Sequence, residues 1–167
     1  MAKDVRWLDT DEQRAWRAWL DAHAALSARL NRELQAGAGL SLSDYDVLVH
    51  LTDVPEGRLR AFELGEGLQW EKSRVSRQVA RMAARGLVAR EASPEDGRGS
   101  YVTLTPAGRR AIEEAAPAHV ELVRRLLFDG LSAAQVRTLA TVSRSVVRRL
   151  EEPPGGPRNP DASQGVD

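Results

Sequence analysis

Apolar residues recur at helical spacing from residue 10 to 35, where Trp16, Trp19, Leu20, His23, Leu26, Leu30 and Leu34 fall on one stripe. Thr10 and Gln13 have capping-box spacing at its start, and the Gly-rich AGAG at 36–39 breaks it. A second helix is predicted from Ser43, with Tyr45, Leu48, Val49 and Leu51 inward, closed by Pro55 and Gly57. RLR at 58–60 reads as a brief strand, and 61–67 as a short helix weakened by Gly65 and Gly67. Residues 72–85 form the next helix, stopped by Gly86. LVARE (87–91) and SYVTLT (100–105) are strands, joined across SPEDGRG (93–99) as a hairpin. Thr105-Pro106 is an N-cap followed by Pro in the first turn, opening a helix to about Phe128 that Pro117 should kink. Ser132 and Gln135 then cap a last helix lined by Val136, Leu139, Ala140, Val146, Val147 and Leu150. From Pro153 the chain is Pro/Gly-rich and polar, a disordered tail.

The order is four helices, a hairpin and two helices. The fold class is mainly α with a small β-hairpin wing: a winged helix-turn-helix plus a helical dimerisation region. The expected bounds are 1–42 for an N-terminal dimerisation helix, 43–106 for the winged core, 107–152 for C-terminal dimerisation helices and 153–167 for the tail. A first helix of this extent is about 39 Å long, more than a small core can cover. A second copy of the chain is the natural cover.

Composition removes several classes of function. The 167 residues carry 24 Lys and Arg against 24 Asp and Glu, so the chain is neither a polycation nor an acidic disordered segment. With no cysteine there is no disulfide scaffold, thiol nucleophile or thiolate metal site. His23, His50 and His119 lie far apart in sequence, so no metal site is expected. No nucleophile–base pair stands out, so no catalytic residue and no enzyme activity are expected. No apolar run approaches membrane-spanning length and the charged N-terminus lacks a signal-peptide core, so the expectation is a cytoplasmic protein without membrane contact.

The neutral total hides an asymmetry. Residues 71–110 hold 9 basic and 4 acidic residues, and Lys72 to Arg90 hold six basic residues and no acidic one. Such a run is either a solvated helix face or a phosphate-binding surface. Spacing bears on the choice. At 100° per residue, Arg77, Arg81, Arg85 and Gln78 fall within about 60° of Arg74, Ser73 lies on the same side, and Val75, Val79 and Met82 occupy the adjoining flank. A helix with this division suits the major groove, where Arg forks onto guanine, Gln pairs with adenine and Ser binds phosphate. Lys72 and Ser76 flank this set; Ser76 serves phosphate or packing. Trp70, in the turn before, reads as a core plug rather than a stacking platform. Arg98 at the hairpin tip is either a minor-groove contact or a solvated turn residue.

Residues 59–109, LRAFELGEGLQWEKSRVSRQVARMAARGLVAREASPEDGRGSYVTLTPAGR, resemble the DNA-binding core of the MarR family of bacterial transcription regulators. The most specific part is DGRGSYVTLTPAG at 96–108, similar to the family's wing signature; ARGLV at 84–88 and VSRQV at 75–79 match the recognition helix. Gly65, Gly67 and Pro117 depart from the usual pattern. The resemblance implies a homodimer joined through helices 1, 5 and 6, two reading heads on double-stranded DNA, and a pseudo-palindromic operator bound as a repressor. It implies DNA contacts from Lys72, Ser73, Arg74, Ser76, Arg77, Gln78, Arg81 and Arg98, with Asp96 holding the wing tip in shape. No cofactor is expected from the residues present; the resemblance implies release by a small phenolic or anionic effector, in a cleft near Trp16, Trp19, His23, Tyr45 and His50. The residues themselves equally fit an aromatic core with satisfied histidines. The alternative function is a winged-helix protein–protein adaptor without sequence-specific DNA binding.

Overall fold

The structure is a computed structural model, and it describes residues 5–92 and 100–151. The chain divides into two compact units, one ending at Arg124 and one beginning at Arg125.

In the first unit, α1 (Thr10–Ala38) is followed by α2 (Leu42–Thr52), β1 (Arg58–Arg60), α3 (Ala61–Leu68), α4 (Lys72–Ala84), β2 (Val88–Ala92), β3 (Ser100–Leu104) and α5 (Pro106–Val123). The sequence places two helix starts one or two residues late. Asp9, not Thr10, caps α1: its carboxylate accepts from the Asp11 and Glu12 N–H groups, and Glu12 answers to the Asp9 N–H. A carboxylate there also meets the positive end of the helix dipole, which a Thr cannot. Ser41, not Ser43, caps α2, in a reciprocal box with Asp44.

β1 is not an isolated strand. It pairs antiparallel with β3, opposite Thr103, Val102 and Tyr101, so the hairpin becomes a three-stranded sheet of order β1-β3-β2. Val88 and Val102 turn inward, onto a core built from Leu40, Val47, Leu48, Leu51, Leu64, Val79 and Met82. That core also takes Leu34 from α1 and Ile112 and Ala115 from α5, so it extends past both ends of the 43–106 segment.

The glycines that weaken the short helix on propensity lie where its packing is tight. A Cβ at Gly67 would stand 2.9 Å from the His50 ring, and one at Gly65 would crowd the Trp70 carbonyl and Val75. α3 can therefore lie against α2 and α4. Pro117 lies inside α5, which runs to Val123 and continues as π-helical turns over Arg124–Phe128, so the helical run reaches the expected Phe128.

In the second unit, α6 (Ala133–Glu151) begins at the expected box, with the Gln135 side chain accepting from the Ser132 N–H and the Ser132 hydroxyl from the Gln135 N–H. No residue of α6 is buried. The tail from Pro153 lies outside the described residues.

Candidate nucleic-acid interface

The α3–turn–α4 unit is held by backbone geometry first. Gln69 ends α3 in the left-handed conformation (φ 54°), and the Trp70 N–H donates to the Gly65 carbonyl at 2.8 Å. This turns the chain within a few residues and sets α4 off from Glu71, whose side chain does not cap it. The first turn of α4 thus carries Lys72, Ser73 and Arg74 with no acidic residue, so its amide end and its side chains share one sign of charge.

Val75, Val79 and Met82 bury the inner flank of α4, as the wheel requires. Lys72, Ser73, Arg74, Ser76, Arg77 and Arg81 are all exposed. Arg74 is not simply solvated: its guanidinium lies 4.1 Å from the centre of the Trp70 ring, and Trp70 itself is half-buried against the core. The Trp is thus both core plug and platform, the second role being for an arginine. Ser76 accepts from the Arg90 guanidinium of β2 at 3.3 Å.

Gln78 departs from the wheel. It is 2% exposed, and its amide faces inward instead of joining the outer row. Its Nε2 donates to Asp44 Oδ1 at 2.6 Å, and its Oε1 accepts from Arg81. Arg85 is drawn in the same direction, donating to Asp44 Oδ2 at 2.8 Å and to the Gly39 carbonyl at 2.6 Å. The physical reason is Asp44, a carboxylate only 4% exposed on α2, which must be paired if it is to stay charged in that position. Burial pushes its pKa up, but the Ser41 N–H and the Arg85 guanidinium outweigh that and hold the carboxyl below its ordinary 3.8. Nothing in the local sequence around Asp44 signals this role, because both partners lie more than thirty residues away on another helix.

Asp96 and Arg98, the two wing residues, lie outside the described residues. Beside the sheet, α3 and the turn leave a groove of about 620 Å³ lined by Arg60, Phe62, Trp70, Lys72, Ser76, Arg90 and Ser100 among others.

The five residues expected to line an effector cleft are not gathered within one chain. Trp16, Trp19 and His23 sit on the exposed first half of α1, each Trp 53% exposed. Tyr45 and His50 are on α2, which meets α1 near its other end, where Asn31 accepts from the Leu42 N–H at 2.9 Å. Tyr45 instead stacks on His119 of α5, ring centres 4.2 Å apart. Burial lowers the His119 pKa, against the nearby Asp46 that raises it; Asp46 is itself raised by burial, and its charge is favoured by His50, His119 and Arg74. In the sequence His119 shows only as one of three histidines far apart along the chain. Among the described residues no group of His, Asp and Glu is placed to hold a metal ion, and no helix is long and apolar enough to cross a membrane.

Comparison with known proteins agrees with this geometry. Residues 38–99 match the MarR family profile. Sco3205, a MarR family transcriptional regulator from Streptomyces coelicolor whose structure is in complex with DNA, superposes with a TM-score of 0.86 at 37% identity, over 90% of this chain and 94% of that one. AbsC, a MarR family regulator from the same organism, gives 0.82 at 35% identity, over 87% and 98%. The HTH-type transcriptional repressor IacR of Pseudomonas putida is 39% identical over 79 residues, so the chain spans about half the length of that relative. The fold, the arginine-bearing α4 and similarity over nearly the full length of two solved regulators agree: the chain belongs to the MarR family of transcriptional regulators.

Proposed function

We infer that this protein is a homodimeric DNA-binding repressor whose α4 enters the major groove of a pseudo-palindromic operator. The observation that carries this reading is the outward row Lys72, Ser73, Arg74, Arg77 and Arg81, exposed on a helix whose opposite flank is locked into the core. Arginine forks in such a row read guanine edges, while Lys72, Ser73 and Ser76 suit phosphate. The family resemblance assigns Arg98 to the minor groove and Asp96 to shaping the wing, and both lie outside the described residues. The Streptomyces relative solved on DNA supports the binding mode, and the relative named as a repressor supports the direction of regulation.

Dimerisation is supported by apolar residues left in water: Trp16, Trp19 and Leu20 on α1, and Val142, Val146, Val147 and Leu150 on α6. A small phenolic or anionic effector is part of the same reading. Trp16, Trp19 and His23 take part in its cleft only if a second chain brings them cover, with Tyr45 and His50 on the other side.

The test is a salt titration of binding to an operator obtained by selection from random duplexes. A regulator making several phosphate contacts shows a steep fall of log affinity with log salt. Arg77→Ala should weaken binding by roughly 1–3 kcal/mol with the dimer intact. A flat salt dependence, or unchanged affinity in both Arg74→Ala and Arg77→Ala, would overturn the reading and favour a protein-docking winged helix.

A further inference from the structure

We propose that Asp44 and Gln78, neither of which faces the groove, are positioning residues that set the guanidinium of Arg81 for base reading. The proposal rests on α4 being the reading helix and adds which buried groups fix its specificity.

A glutamine amide has one end that donates and one that accepts, and in isolation the two can exchange by a flip. Asp44 removes that freedom. Its carboxylate only accepts, and its Oδ1 sits 2.6 Å from Gln78 Nε2. The NH₂ end of the amide must therefore face Asp44, which leaves Oε1 facing outward along α4 toward Arg81. Oδ2 is occupied by Arg85 and by the Ser41 N–H, 2.8 Å from each, so Asp44 is held from a second side and by the cap of its own helix. The orientation thus passes from the start of α2 through a buried amide to an exposed arginine one turn further along α4. Arg81 gives one of its donors to Gln78 and keeps the rest of its fork for DNA. An arginine held in this way loses less side-chain freedom on binding than a free one, and a fixed fork discriminates between base edges better than a roaming charge.

The experiment is a double-mutant cycle on full-length protein, read by operator affinity and by base preference from selection, with thermal melts of every variant. Gln78→Met keeps volume and removes the acceptor. Arg81→Ala should weaken binding about tenfold and Gln78→Met about fivefold. Together they should lose no more than Arg81→Ala alone, because the effect of Gln78 runs through Arg81. In the Arg77→Ala background, Gln78→Met should keep its full effect. The operator positions whose preference relaxes in Arg81→Ala should be the same ones that relax in Gln78→Met; a general loss of stability would lower affinity without choosing positions. Should Gln78→Met fold poorly, Asp44→Asn keeps the shape, lets the amide flip and must show the same dependence on Arg81. Multiplying effects, relaxation at different positions, or an Arg81→Ala variant that binds as the parent does would each overturn the proposal. Arg74→Ala and Arg77→Ala still losing affinity in the same titrations would show that the reading of α4 survives that failure; all three without effect would take down both.

Discussion

Gly108 shows how a single residue can be fixed by its neighbour's backbone. In the first turn of α5 it passes so close to Leu87 that a Cβ would overlap the Leu87 carbonyl oxygen. Gly108→Ala should therefore destabilise the protein by about 2–3 kcal/mol. Gly37→Ala should do the reverse: it lies in the last turn of α1, where a methyl group meets nothing within 4 Å, and should gain roughly 0.5–1 kcal/mol. Urea melts of the two variants beside the parent check both signs. The glycine is visible in the sequence as part of LTPAG, but the reason for it lies on another element. His119 stacks on Tyr45 within the fold. Its folded pKa is pushed below the ordinary 6.5, mainly by burial against Tyr45. As pH falls through about 6.5 the unfolded chain takes up this proton first, so stability is lost below that point and is whole above it. The urea midpoint of the parent should drop between pH 7 and about pH 5 by more than that of His119→Gln. Asp46→Asn should shift the NMR titration of His119 to still lower pH, since the Asp46 charge is what props its pKa up.

At the level of elements, Thr105 ties three pieces together. Its hydroxyl oxygen accepts from the Gly108 N–H at 3.0 Å, capping α5, and its proton goes to the Gly86 carbonyl at 2.7 Å, where α4 gives way to β2. Thr105→Val keeps the shape and loses both bonds, which should cost about 1–2 kcal/mol in a thermal or urea melt, while Thr105→Ser should stay near the parent. This cap was legible because Thr-Pro at a helix start has a strong local signature. The starts of α1 and α2 were less so, because DTDEQ and SLSDYD each offer two overlapping boxes that local rules cannot rank. The choice at α2 is made from afar: with Ser41 as cap, Asp44 becomes the third residue of the helix and meets Gln78 and Arg85. The same distance explains Gln78. Helical spacing put it among the arginines, since a wheel knows the angle but not that a buried carboxylate waits on α2. The order of helices, the hairpin and the apolar flank of α4 were legible because each rests on period and turn chemistry within one segment. The third strand and the close seat of α3 were not, because both depend on partners brought in by the fold.

For the molecule as a whole, the question is what covers its exposed apolar surface. α6 has an apolar stripe and no buried residue; Val146 is 50% and Leu150 79% exposed. The first four turns of α1 leave Trp16, Trp19 and Leu20 in water. Buried apolar area is worth about 25 cal/mol per Å², so each stripe favours association with a second chain. We expect the parent to sediment as a dimer, and a stable monomer of 18.3 kDa at micromolar concentration would refute this. Val146→Glu combined with Val147→Glu places carboxylates on the stripe of α6, where burial would leave them unpaired. That variant should sediment as a monomer. Its affinity for the full operator should fall by more than about tenfold, because two linked heads bind far more tightly than one. Its affinity for a duplex carrying a single half-site should stay near the parent's, since α2, α3, α4 and the sheet form their core without α6. The half-site arm separates the two ways the experiment can turn out. Loss on both duplexes would mean that α6 supports the reading head directly, whereas loss on the full operator alone means that it supplies the second head.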